Sequence, residues 1–225
     1  SQIGFILVGV GMQCFLGEEN ALAVRGTFLH MVNHSLIKLL LFNLAGVVYM
    51  NIHVLDLNTV RGFGRKKPFL MITFLMGALG IGGMPLLNGY VSKTLLHESI
   101  VEYIAHLTAH GHSALLFQAI EWIFLFSGGL TVAYMLKLFV CIFVEKHPEK
   151  QEQYDAKTNY MSVLSKLVLG ISAVILPIMG AFPGMTMNKM ADAVMGFLRS
   201  GPLHHEVHYF TWVNLKGSVI SIAIG

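Results

Sequence analysis

The residues best able to do chemistry in this sequence are His30, His34 and Lys38. They recur at every fourth position within residues 27–50, TFLHMVNHSLIKLLLFNLAGVVYM, a stretch that is otherwise mostly apolar. On a helix each step of four turns only about 40°, so the three form one polar stripe about 12 Å long. Such a stretch is long enough to cross a bilayer. A lysine at the centre of a membrane helix costs about 2.5–3.5 kcal/mol on insertion scales, so stability alone gives no reason for it. The stripe must face protein or water, and three titratable groups in a row read first as a proton relay. The structural alternative is a lysine neutralised by a carboxylate on another helix, beside hydrogen-bonded core histidines. A metal or haem site is a third option. Two histidines four apart can share a metal, but a lysine one turn on would repel the cation.

A second constellation centres on Lys93. It follows residues 85–92, PLLNGYVS, where proline and glycine interrupt an apolar run. Such an interruption breaks a helix and frees backbone groups that need partners. A half-helix beginning near Ser92 would present a positive dipole end to Lys93, positive on positive, which suits a proton carrier better than a structural post. The structural alternative is a lysine snorkelling to an interface. His97 stands one turn further and could continue a proton path, while Glu98 and Glu102 could supply counter-charge.

The elements that must position these groups are membrane helices. Of 225 residues, 55% are hydrophobic and only 12% charged, and the mean hydropathy is +0.66. A soluble domain carries about a quarter charged residues, so an all-α, polytopic transmembrane bundle is expected. The net charge of +3 sits in loops and implies no nucleic acid. Cys14 and Cys141 both fall in apolar spans and offer neither a disulfide framework nor metal spacing. The first run begins at once and the last stops short, which reads as the C-terminal part of a longer protein.

Helices are expected over 3–17, 27–50 and 69–107, the last one broken. Another is expected over 114–144, interrupted only at Gly128-Gly129, and another over 164–183, with Pro177 as a kink. Residues 184–209 read as an amphipathic or looped connector, with a final run from near Phe210. Loop charges decide how 69–107 crosses. Basic residues concentrate in 51–67 and 145–166, and the positive-inside rule wants both in the cytoplasm. That requires 69–107 to be one discontinuous crossing, with 85–92 as its irregular segment. It leaves 18–26 outside.

Other marks carry less. His106, His110 and His112, and again His204, His205 and His208, fit no zinc signature and read as solvated loop histidines. Glu121 and Lys137 lie about two turns inside opposite ends of the 114–144 helix and read as snorkelling or subunit contacts. No phosphate loop, dinucleotide fingerprint or nucleophile triad is present, so no cofactor and no metal are expected.

Three segments together, HMVNHSLIKLLLFNLAGVVY, the basic GFGRKKP loop and GIGGMPLLNGYVSKTLL, resemble the C-terminal half of the antiporter-like subunits. That family includes the large proton-pumping subunits of respiratory complex I, of membrane-bound hydrogenases and of Mrp-type cation/proton antiporters. SQIGFILVGVG resembles the helix after that family's lysine-containing segment. The resemblance covers about residues 1–145, leaving 146–225 as additional C-terminal helices and connector. It implies two inverted five-helix repeats, each with a broken helix, of which this chain holds most of the second. Lys38, His34 and His30 would form the central polar axis, Lys93 the ionisable residue of the broken helix at the outward exit, and His97 a continuation. Thr94 stands where many relatives carry an acid, and Lys93 where some subunits carry glutamate, which argues against that branch. The implied function is translocation of protons, with or without Na⁺, within a multisubunit complex of a bacterial or archaeal inner membrane. The implied partners are other integral membrane subunits. The alternatives are a scaffold whose buried charges only fix helix pairing, and a haem- or quinone-binding redox subunit.

Overall fold

The computed structural model describes residues 2–198, 200–201, 203 and 207–225. Among them every regular element is helical. Helix α1 covers Gln2–Leu16 and α2 covers Ala21–Ile52, 32 residues long. A short α3 (Leu57–Val60) starts at Asp56, whose carboxylate accepts from the Thr59 backbone N–H. Then come α4 (Pro68–Gly82) with proline in its first turn, α5 (Asn88–Ala109) and α6 (Leu115–Phe139). They are followed by α7 (Gln151–Ala156), α8 (Val163–Ala181), α9 (Met187–Met195) and α10 (Trp212–Ile224). By length and composition, Ala21–Ile52, Leu115–Val144 and Val163–Ala181 could each cross a membrane. Large apolar side chains on them face outward, among them Phe42, Trp122 and Val163, as expected where lipid or a neighbouring subunit is the solvent.

The long helix α2 is the spine. Along it, Leu41 meets Gly77, Ile37 meets Gly80, Asn33 bonds Asn88, His30 bonds Ser92 and Gly26 meets Leu96. Contact positions fall on α2 as they rise through α4 and α5. The two half-helices therefore run one after the other, antiparallel to the spine, as a single discontinuous helix.

Both basic loops meet at one end of the bundle. Gly62 and Gly64 donate backbone N–H groups to Cys141 and Ile142 carbonyls, both at 2.9 Å. Arg61 pairs with Glu145 at 2.9 Å and Lys66 with Asp155 at 3.2 Å. At the other end Phe15 packs against Tyr103 and Phe117, joining the α1–α2 and α5–α6 turns.

The hydrophobic core divides where the helix breaks. One cluster joins α4 to the later half of α2, with Ile37, Leu44, Leu70, Ile81 and Leu176. Two others join α5 to the earlier half of α2 and to α1, centred on Leu29, Leu95, Leu96 and Ile100.

Two expectations need correction. The irregular segment is 83–87 rather than 85–92, and α5 begins at Asn88. Gly128-Gly129 does not interrupt α6. The pair lets α10 approach, since a Cβ on Gly129 would meet Ile224 at 2.7 Å and one on Gly128 would meet Ser221 Oγ at 2.8 Å. What changes in that helix is its end, which widens into a π-turn over Val140–Val144. In the connector, α9 packs on α2 and Asp192 pairs with Arg25. His204 and His205 lie outside the described residues, and His208 is exposed.

Lys67 fastens the basic end. It is 1% exposed, and its ammonium donates to the carbonyls of Phe63 and Tyr154, each at 2.8 Å. It also lies 4.1 Å from the Phe63 ring centroid. Burial pushes this group, outside the spans, down to about 8, against the pull of Asp155. The unfolded chain holds the proton more tightly, so the charging penalty is full below pH about 8 and gone above the ordinary lysine value. Thermal stability of the wild type relative to Lys67→Met is therefore expected to rise between those two pH values. A pH-independent difference in melting temperature would show that Lys67 is not buried as described.

Candidate functional site

The site grows from the break. Helix α4 ends at Gly83, whose φ of +83° is the left-handed cap that glycine adopts without strain. A helix end leaves carbonyls without partners, and each of those here finds one. Gly83 N–H serves Leu79 and Gly80, and Met84 N–H also serves Leu79. The remaining two, Ile81 and Gly82, accept from Lys93 Nζ at 2.9 and 3.1 Å. Gly83 itself offers its carbonyl to Ser218 Oγ of α10 at 2.8 Å. The close approach needs glycine a second time, because a Cβ at 83 would meet Lys93 Cδ at 2.8 Å.

This revises the expected setting of Lys93. It does not stand in the first turn of a half-helix facing a positive dipole end. With α5 starting at Asn88, Lys93 lies beyond the first turn, and its side chain reaches back to the negative end of α4. Phe5 of α1 adds a ring face, 5.1 Å from Nζ.

Below the lysine a polar chain crosses four helices. Asn33, fully buried, donates to the Asn88 carbonyl at 2.8 Å and to Ser92 Oγ at 3.0 Å. Asn88 Nδ2 returns a bond to Asn33 Oδ1 at 3.1 Å. Ser92 Oγ lies 3.0 Å from His30 Nδ1, and His30 Nε2 lies 3.2 Å from Gln2 Oε1. Gln2 Nε2 donates to Thr131 Oγ1 of α6 at 3.2 Å. A neutral His30 with its proton on Nε2 satisfies both ring contacts: it donates to Gln2 and accepts from Ser92. Asn33, Asn88, Ser92, Gln2 and Thr131 carry no charge. Their signal in the sequence was only that polar residues sit in apolar helices.

The stripe on α2 is divided. His30 belongs to this chain and is 2% exposed, whereas His34 and Lys38 are half-buried further along the spine. Among the described residues Lys38 makes no hydrogen bond or ion pair. Its ammonium sits 5.3 Å from the Phe42 ring centroid, at the rim of an apolar recess of about 280 Å³ walled by Leu41, Leu44, Phe74 and Ile142. His97, one turn beyond Lys93, pairs through Nε2 with Glu121 Oε1 of α6 at 3.0 Å. Glu121, read as snorkelling or a subunit contact, is partly exposed and faces His97. His106 and His110 lie together at the exposed end of α5, their rings tilted by 36° with 4.3 Å between centroids. Among the described residues no three His, Cys, Asp or Glu side chains converge as a metal site would require.

The family model of the NADH:quinone oxidoreductase/Mrp antiporter transmembrane region matches residues 1–106, which include α1, α2, α4 and most of α5. The chain is 27% identical over 193 residues to NAD(P)H-quinone oxidoreductase chain 4 of Prochlorococcus marinus (strain MIT 9303), covering 86% of this chain and 31% of that protein. It is 31% identical over 158 residues to NADH-ubiquinone oxidoreductase chain 5 of Metridium senile, covering 68% and 22% respectively. To Na(+)/H(+) antiporter subunit A1 of Staphylococcus aureus (strain JH9) it is 26% identical over 200 residues, covering 85% and 24%. The chain thus spans under a third of the length of each of these relatives.

If Lys93 closes the end of α4, Gly83→Ala should strain both the left-handed cap and the lysine's approach. An alanine there costs about 1 kcal/mol for φ alone. The expected outcome is a lower melting temperature in detergent and faster amide exchange confined to 79–93. Protection unchanged in that window would show that the cap is not needed.

Proposed function

We propose, because the chain belongs through residues 1–106 to the NADH:quinone oxidoreductase/Mrp antiporter transmembrane family, that it forms the later part of an ion-translocating subunit. Protons move among Lys38, His34 and His30, pass to Lys93 at the broken helix, and leave by way of His97. Residues 1–145 are the antiporter-like core, and 146–225 are added helices that pack on it. The membrane is a bacterial or archaeal inner membrane, with the basic loops on its cytoplasmic side, and the partners are other integral subunits of one complex. The relatives include quinone oxidoreductase chains and an antiporter subunit.

The observation that carries the reading is Lys93 on the carbonyls of Ile81 and Gly82. Its proton is part of what holds the break in place, so loading and unloading that proton changes the force between the two half-helices. Neighbouring sites then communicate by charge. At an effective dielectric near 20, two charges about 10 Å apart repel by about 1.7 kcal/mol, slightly over one pKa unit.

A scaffold reading draws on a different observation, the fully satisfied contacts of neutral His30. Replacing Lys38 and Lys93 separately with methionine separates the two. A translocating subunit should still assemble in its complex, and coupled proton transport into sealed vesicles should fall at least tenfold. Wild-type transport from both assembled variants would leave only the scaffold.

A further inference from the structure

Beyond Lys93, α5, α6 and α10 enclose a small cavity of about 30 Å³, walled by Lys93, His97, Asn214, Gly217 and Ser218. That is room for two or three waters, at about 10–15 Å³ of this measure each. Its polar walls supply the partners that a water needs. Gly217 makes the space. A Cβ there would come within 3.2 Å of His97 Nδ1 and Cε1, so these ring atoms face the cavity wall on α10. The other ring nitrogen, Nε2, points away to Glu121, and Phe124 stacks on the ring, 6.1 Å between centroids. The His97 and Glu121 side chains are 18% and 26% exposed, so both are partly open.

The surroundings leave this pair as the continuation of Lys93. On α5 the next acid, Glu98, is not among the residues that line the cavity. Lining the cavity, α1 presents Phe5, and Lys216 beside Gly217 on α10 is exposed. Glu121 lies two turns inside α6, towards the end of the bundle opposite the basic loops.

Resting on the proton-translocation reading above, we infer that Glu121 is the proton-release group, fed from Lys93 through cavity water and His97. The Lys93 ammonium gives a proton to water, which passes one to His97 Nδ1. The imidazolium gives its Nε2 proton to the Glu121 carboxylate. The carboxylic acid loses that proton to the medium at the α5–α6 end. His97 then holds its proton on Nδ1 and must return to the Nε2 tautomer, which Glu121 accepts, before the next transfer. Gly217 keeps the cavity open, so α10 sets whether the lysine and the histidine share water.

The test uses the whole complex in sealed vesicles, with proton release read by a dye in the outer medium against the complex's own turnover. Glu121→Gln should slow release at least tenfold, Glu121→Asp should restore most of it, and added imidazole buffer should rescue Glu121→Gln in part. The double variant His97→Gln with Glu121→Gln should be no slower than either single one, as for two members of one path. Loss of transport in Lys93→Met beside an unaffected Glu121→Gln would overturn the inference and leave the translocation reading standing. Transport intact in Lys93→Met would overturn both. A Glu121→Gln defect that neither aspartate nor buffer repairs would reduce the carboxylate to a link between α5 and α6 and overturn the inference. Should Glu121→Gln not assemble, Gly217→Val fills the cavity from α10 without removing an ionisable group. Slowed release by that assembled variant supports the inference, and an unchanged rate overturns it.

Discussion

An ammonium group closing the carbonyl end of one half-helix from the body of the next is the interaction on which this bundle depends. A membrane interior offers no water to satisfy open backbone groups, so a helix can break there only where protein supplies the partners. Lys93 supplies two of them at Ile81 and Gly82, and Ser218 supplies a third at Gly83. The charge is held in return by oriented carbonyls and by the Phe5 ring. Break and charge therefore explain each other. The lysine is tolerated at depth because the helix is open, and the helix stays open because the lysine is there.

The spine makes the arrangement durable. Asn33 fixes the start of α5 by bonding to Asn88 and Ser92, while Ile37, one turn on, packs under Gly80 and Gly89. From the other side α8 comes so close that a Cβ on Gly180 would meet the Leu87 carbonyl carbon at 2.2 Å. Small residues at these positions let backbones approach, which is how helices pack where no hydrophobic force draws them together.

Much of this was legible in the sequence because it rests on periodicity and charge. The span of α2, the lysine after a proline–glycine break and the single broken crossing follow from hydropathy and from two basic loops that had to share a side. Those loops are tied to each other by the Arg61–Glu145 and Lys66–Asp155 pairs and by Gln151 donating to the Gly62 carbonyl. The setting of Lys93 was not legible. A start one turn earlier, at Asn88, turns the ammonium from one dipole end to the opposite one, and element boundaries are what sequence patterns fix least well. The uncharged chain from Thr131 to Asn88 was missed because its members sit on four helices, and spacing along one segment cannot show which residues of others they meet. Glu121 was read by its depth in α6, whereas its pairing with His97 depends on which face of α5 lies opposite.

The division of the apolar core at 83–87 means that this protein has no single interior. Each half-helix is rooted in an apolar packing of its own, while α2, α6 and α8 run past both. Sideways compression that differs between the two leaflets would therefore load one packing more than the other, and the mismatch would gather at that turn. Bilayer thickness and lipid composition thus become mechanical inputs to the distance between an amine and two carbonyl oxygens.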